Sequence, residues 1–184
     1  MWGAEVRAIA ARAAALAVLL LAAAAARAGT EQVEYPKDYR SRFAEYNRVD
    51  RPDRKPAVVR FFYVNPEALA VAKPAEPLPY GTVLVMEDHK ARVDEAGRPA
   101  RDGEGRLVPT DEVINVFVQA KGRGFGAEYP ESKRNGEWEY AWFLPDGARK
   151  ADAKFDGCFT CHLNRAGRDY NFTFSKYLLD ERKP

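Results

Sequence analysis

The chain has 184 residues, with 29 basic and 27 acidic side chains, so it is long enough for one domain with a hydrophobic core but hardly for two. Three arginines and one glutamate fall in the first 28 residues, which leaves 26 residues of each sign and no net charge in the rest of the chain. Because no basic stripe remains there, the sequence excludes a nucleic-acid-binding function.

The first 28 residues differ in composition from everything that follows. Two arginines precede an apolar, mostly alanine run over residues 13–26, and residues 26–28 have the small-x-small form of a cleavage site. A membrane anchor is the alternative, but a span needs about 20 apolar residues and this run has about fourteen. The pattern predicts a cleavable signal peptide over 1–28 and a periplasmic domain over 29–184 without a membrane span.

The mature chain opens with aromatic residues at helical spacing, which predict a helix within residues 35–49. A β-branched and aromatic run over 57–64 predicts the first strand. Asn65 as a cap and Pro66 at the first helical position predict a short helix ending near Val71.

Three further apolar runs predict strands, at residues 82–88, 113–120 and 137–144. Residues 90–111 are rich in charge, Gly and Pro and predict a mobile loop or a loose hairpin. A helix over 151–163 and a closing segment over 170–179 end the chain. Because neighbouring strands are joined by ordinary loops, the fold class predicted is α+β, a mainly antiparallel four- to five-stranded sheet with flanking helices.

The third of these strands alternates between two kinds of side chain. Ile114, Val116, Val118 and Ala120 form one apolar face. The other face carries Val113, Asn115, Phe117 and Gln119. A large aromatic ring among amides suggests a second surface that covers a cofactor. An exposed phenylalanine, or one covered by a loop or a partner subunit, fits the same pattern.

Residues 158–162 read Cys-Phe-Thr-Cys-His, the attachment signature of c-type haem. On a helix Cys158, Cys161 and His162 project to one side, so the two thiols can bind the haem vinyl groups while the imidazole reaches the iron. A thioredoxin-like pair would lie near the start of the fold, and a zinc site would need a fourth ligand. The motif predicts one covalent haem c with His162 as the iron ligand.

The opposite side of the iron has few candidate ligands. After signal cleavage the chain has one methionine, Met86, and one further histidine, His89. An electron carrier needs such a second strong ligand. The ordinary expectation, however, is strand packing for Met86 and a solvated strand end for His89. We therefore expect an open or weakly occupied sixth position that admits small molecules.

In its motifs the chain resembles the cytochrome P460 family, which includes the cytochromes c′-β. The matching segments are Tyr35-Pro36-Lys37-Asp38-Tyr39-Arg40, Val64-Asn65-Pro66-Glu67, Leu78-Pro79-Tyr80-Gly81-Thr82-Val83, Gly136-Glu137-Trp138-Glu139-Tyr140, Cys158-Phe159-Thr160-Cys161-His162 and Asp169-Tyr170-Asn171-Phe172-Thr173. The resemblance implies a mainly antiparallel sheet with helices, a homodimer and one high-spin haem.

Within that family, the resemblance distinguishes two kinds of site. The P460 enzymes oxidise hydroxylamine with a lysine cross-linked to the haem and an acidic residue above the iron. Here Met86 stands at the lysine's position and Phe117 at the acid's, and neither side chain supplies the same chemistry. The chain thus looks like the c′-β branch, in which aromatic residues cap the distal side of the haem. Arg60 matches a family arginine near that pocket, or is an ordinary ion-pair partner.

The leading hypothesis is a haem protein that binds a diatomic gas, nitric oxide or carbon monoxide, because an apolar cap penalises anionic and hydrogen-bonding ligands. A hydroxylamine or nitric oxide oxidoreductase of the P460 kind is the second, with Glu87 or Asp88 as the nearby acid. An electron-transfer cytochrome ligated by Met86 or His89 is the third. A periplasmic redox partner is a further expectation.

Overall fold

The computed structural model describes residues 29–181 and shows an antiparallel sheet whose five strands lie side by side in chain order. The strands are β1 (Ala44–Arg51), β2 (Val58–Val64), β3 (Val83–Ala91), β4 (Pro109–Lys121) and β5 (Trp138–Phe143). Together with short helices, this arrangement confirms the predicted α+β class. The signal peptide predicted for residues 1–28 lies outside the described residues.

Short helices flank the sheet. Within the described part of the chain they are α1 (Tyr39–Arg42), α2 (Pro66–Val71), α3 (Asp156–Leu163) and α4 (Phe174–Glu181), with 3-10 turns at Gly29–Gln32 and Ala166–Arg168. α2 begins at Pro66 as predicted, but the Asn65 side chain does not cap it. That amide instead accepts a hydrogen bond from Val83 N and donates one to Gly81 O, which ties the helix start to β3.

The prediction of a helix within residues 35–49 is mostly wrong. Only Tyr39–Arg42 is helical, and the chain continues from Ala44 as strand β1, paired with β2. The Tyr46 ring packs against Phe174 of α4, with ring centroids 5.0 Å apart. Pairing with the next strand and burial against a helix more than 120 residues away along the chain outweigh the local spacing of the aromatic residues.

Residues 90–111 form a hairpin extension with two tight turns. Isolated bridges join Val93 to Pro99 and Arg101 to Leu107. Arg106 donates to both carboxylate oxygens of Asp50 on β1, so the second turn is held against the edge of the sheet. The predicted hairpin is therefore present, and β4 begins four residues earlier than expected.

The two faces of the sheet have different coverings. On the back face, the N-terminal segment packs over an apolar cluster made of Val33, Tyr39, Tyr63, Val85, Val116, Val118, Ala120, Ala141 and Phe143. On the front face, α2 and α4 cover one end through Val64, Ala68, Ala72, Leu78, Leu84, Trp138, Phe174 and Leu178. The α3 helix and its histidine lie on the front face beside this second cluster, against β5.

The alternation predicted for β4 holds over most of the strand and fails at its start. Val116 and Val118 lie in the back-face cluster, which turns Phe117 and Gln119 to the front. The pairing of β3 with β4 is irregular between His89 and Asp88. Because of that irregularity, Val113 packs against the back-face cluster and not beside Phe117.

Candidate haem site

Helix α3 carries the two cysteines of the motif. It begins at Asp156, five residues later than predicted, and extends to Leu163. Cys158 is half-buried and Cys161 exposed, and both thiols are free. Residues three apart on a helix lie on one side of it, so both sulfur atoms are available to a single flat group.

The His162 ring is fixed by a main-chain hydrogen bond. Its Nδ1 atom lies 2.6 Å from the carbonyl oxygen of Tyr170, a contact that places the proton on Nδ1 and leaves Nε2 as an acceptor. Burial lowers the pKa of His162, so the imidazole is neutral near pH 7. A neutral imidazole with one N–H held by a carbonyl is the usual form of a metal-bound histidine.

Aromatic rings hold the imidazole from two sides. The ring centroids of Tyr140 and Phe172 each lie 5.0 Å from that of His162. The Tyr140 hydroxyl donates to Asn135 Oδ1, and Asn135 Nδ2 donates to the carbonyl oxygen of Phe159 in α3. Strand β5 and the helix are thus joined through one buried amide, which restricts the orientation of His162.

The Tyr170 carbonyl that accepts the hydrogen bond from His162 lies in a constrained loop. Asp169 and Tyr170 both have left-handed backbones, with φ of 49° and 57°. Such conformations are costly for residues other than glycine and persist where contacts enforce them. Here Lys121 Nζ lies 2.7 Å from Asp169 Oδ2, and Gln119 Nε2 donates to the Tyr170 carbonyl over 3.1 Å.

An apolar row crosses the front face next to this histidine. The Phe62–Met86, Met86–Phe117 and Phe117–Trp142 pairs lie in register across strands β2 to β5. The rings of Phe117 and Trp142 pack at 4.7 Å. Among the described residues, none of these four belongs to an apolar core cluster, and only Phe62 is buried. We call them the distal row.

The neighbouring row of the front face is polar. Arg60 Nε and Nη2 donate to the two oxygens of Asp88, over 2.6 and 2.9 Å, and both side chains are largely buried. Asn115 pairs with Asp88 in register and accepts a hydrogen bond from Trp142 Nε1 over 2.9 Å. Arg60 is therefore an ion-pair partner on the same face as the distal row.

His89 and Glu87 lie on the back face, away from the cysteines. One ring nitrogen of His89 contacts the Thr110 carbonyl and the other contacts Glu87. Glu87 also accepts hydrogen bonds from Tyr39 and Arg40. Burial alone would raise the pKa of Glu87, but these partners lower it. Both His89 nitrogens are engaged, so the idea that His89 is an iron ligand finds no support.

The structure thus brings Cys158, Cys161 and His162 together on α3 and places Phe117, Met86 and Arg60 on the sheet face beside them. The rings that position His162 and the carbonyl that orients it were not predicted from the sequence. Trp142, at one end of the distal row, was also not predicted. The Gln119 side chain was the one available signal of the Tyr170 carbonyl, because a side-chain amide on a covered face of the sheet needs a hydrogen-bond partner.

These residues fit a covalent haem. Two thiols on one side of a helix match the two vinyl groups, and Nε2 of the neighbouring histidine is available to iron. The apolar distal row suits a flat apolar ring. In residues 29–181, no three His, Cys, Asp or Glu side chains form a metal site of the zinc type.

The Cytochrome P460 family model matches residues 36–173, which is most of the chain. The chain therefore belongs to the cytochrome P460 family and is a haem cytochrome of the P460 kind. No curated protein matches it significantly. None of the helices in the described range is both long and apolar enough to cross a bilayer.

Proposed function

We propose that this protein is an exported cytochrome with one covalent haem c and that it binds nitric oxide or carbon monoxide. Cys158 and Cys161 hold the haem, and His162 is its proximal ligand. The bound haem would supply an iron that binds a diatomic gas on the side opposite His162. We further propose that the protein is a periplasmic homodimer served by a periplasmic redox partner, and that it belongs to the c′-β branch of the family.

The observation that carries the proposal is the composition of the distal row. Phe62, Met86, Phe117 and Trp142 lie in register on the face beside His162. None of these side chains is a carboxylate or an amine. Leaving a polar or anionic ligand without a hydrogen-bond donor costs about 1–3 kcal/mol. Nitric oxide and carbon monoxide form weak hydrogen bonds and lose least in such a pocket.

The proximal side supports reversible binding of a gas. The hydrogen bond from His162 Nδ1 to Tyr170 and the flanking rings of Tyr140 and Phe172 hold the imidazole in one orientation. A neutral imidazole held in one orientation would bind the iron with the same geometry before and after a gas binds. The identity of the second iron ligand then depends on the polarity of the pocket opposite His162 and on how easily ligands reach it.

A P460-like oxidoreductase is the second candidate, and Asp88 is the observation that favours it. This carboxylate lies on the front face, one row from Met86 and Phe117. Both of its oxygens, however, accept hydrogen bonds from Arg60. A carboxylate whose two oxygens both accept hydrogen bonds from one arginine is a poor general base, and Met86 cannot form the lysine cross-link. We therefore prefer gas binding.

A gas titration tests the proposal. The ferrous protein is titrated with carbon monoxide and with nitric oxide, followed by visible absorption, and the ferric protein is mixed with hydroxylamine and an electron acceptor. We expect one gas molecule bound per haem and no turnover of hydroxylamine. Sustained hydroxylamine oxidation, or a ferrous haem that binds neither gas, would contradict the proposal.

A further inference from the structure

A buried carboxylate on β5 lacks the partners that its burial requires. Glu139 has no exposed surface. Its Oε1 accepts a hydrogen bond from Tyr140 N, whereas Oε2 has no hydrogen-bond partner among residues 29–181. Burial, with a contribution from the charge of Glu128, raises the pKa of Glu139 to about 7. An unpaired buried charge is costly, so a cation beside this carboxylate would stabilise its ionised form.

The start of the described chain lies against strand β5, which carries this carboxylate. Burial and the nearby Glu139 carboxylate raise the pKa of the Tyr129 phenol. The two side chains nevertheless do not form a hydrogen bond through Glu139 Oε2. A methyl group on the Gly29 Cα would lie 3.1 Å from the Tyr129 hydroxyl and 3.2 Å from Glu128 Oε1. The Glu128 carboxylate and the Tyr129 phenol therefore lie against Gly29, and both are close enough to Glu139 to interact with it electrostatically.

The basic residues of this region have other partners. Arg149 donates to the carbonyl oxygens of Thr30 and Val33, over 2.8 and 2.6 Å, and so clamps the first turn to the end of the sheet. Arg134 donates to the carbonyl oxygens of Gly126, Ala127 and Tyr129. Arg149 therefore fixes the position of Gly29, while neither arginine pairs with Glu139.

We propose that Glu139, Glu128 and Tyr129 form a binding site for the α-ammonium group of Gly29, which is created when the leader is removed after Ala28. This inference rests on the export included in the proposed function. Cleavage changes a neutral peptide nitrogen into a cation beside Glu128 and Tyr129, in a region where no basic side chain of residues 29–181 forms an ion pair with Glu128 or Glu139. Glycine suits the position because any larger residue would press against Tyr129 and Glu128.

The pKa of the N-terminal amine of the exported, haem-loaded protein tests the inference. It is obtained from the pH dependence of N-terminal acetylation, followed by mass spectrometry of the N-terminal peptide. A free α-amino group titrates at about 7.7–8.0, and two carboxylates should raise this by roughly one unit or more. The Glu139→Gln and Glu128→Gln double variant should return the pKa to its ordinary range. Glu31→Gln, an exposed change in the same turn, should leave it raised.

A two-residue insertion between Ala28 and Gly29 provides a second test that leaves the acidic residues intact. It moves the amine by roughly 7 Å, and we expect the raised pKa to disappear and the melting temperature to fall. The inference is overturned by an ordinary amine pKa in the natural protein, by a raised one in the double variant or insertion, or by a haem-loaded chain that begins elsewhere. Haem absorption and gas binding should remain unchanged throughout, so failure here is distinct from failure of the proposed function.

Discussion

Replacing both Cys158 and Cys161 by alanine should abolish all haem that survives denaturation and acid–acetone extraction. The two thiols are free and lie three residues apart on α3, where both can form thioethers with one haem. In the natural protein the haem should remain with the polypeptide on denaturing gels and in intact mass spectra. In the double variant only dissociable haem remains, since His162 alone gives no covalent bond.

Thr160→Ala is the matched control for the cysteine changes. Thr160 lies between the two cysteines, is exposed, and can be replaced without altering the length of α3. We expect this variant to retain its haem after extraction. Covalent haem that persists in the double cysteine variant would show that another residue forms the bond and would defeat the assignment of this site.

Phe117→Ala should accelerate the binding of nitric oxide by about tenfold, which corresponds to ~1.4 kcal/mol of activation free energy. Phe117 stands at the centre of the distal row, between Met86 and Trp142, and its ring packs on that of Trp142. If the ring covers the iron, a ligand must displace it before binding. Removing the ring opens the pocket and admits water. Stopped-flow absorption after mixing with nitric oxide measures the rate.

Phe61→Ala provides the control because it makes the same truncation on the opposite face. Phe61 packs against the back-face cluster and contacts His89, whereas Phe62 lies in the distal row. The Phe61 variant should bind nitric oxide at the natural rate. An unchanged rate in Phe117→Ala, with an intact fold, would mean that the ring is not the cap and would point to Phe62.

The sequence predicted four of the five strands because their apolar and β-branched runs are local signals. Strand β1 was missed, since its extended conformation depends on pairing with β2 and on packing of Tyr46 against α4. Local spacing of aromatic residues could not reveal either contact. The same limit applies to Val113, whose side chain is turned to the back face by an irregularity in strand pairing.

The site was predictable to the extent that it is contained in a short motif. Cys158, Cys161 and His162 lie within five residues, and their spacing alone indicates haem. The Tyr170 carbonyl that orients His162 depends on left-handed residues held by Lys121 and Gln119, which are about fifty positions away. Such contacts follow from strand register and loop geometry, which a single sequence does not encode locally.

The absorption spectrum of the purified protein in its ferric and ferrous states tests the central claim most directly. If Met86 packs in the distal row and does not ligate the iron, no strong sixth ligand is present, and the account predicts a broad high-spin Soret band in both states. Sharp low-spin bands would show that Met86 or another residue ligates the iron and would support an electron carrier. A red-shifted band of a cross-linked haem would indicate a P460-type enzyme. Either result would contradict a gas-binding site capped by Phe117.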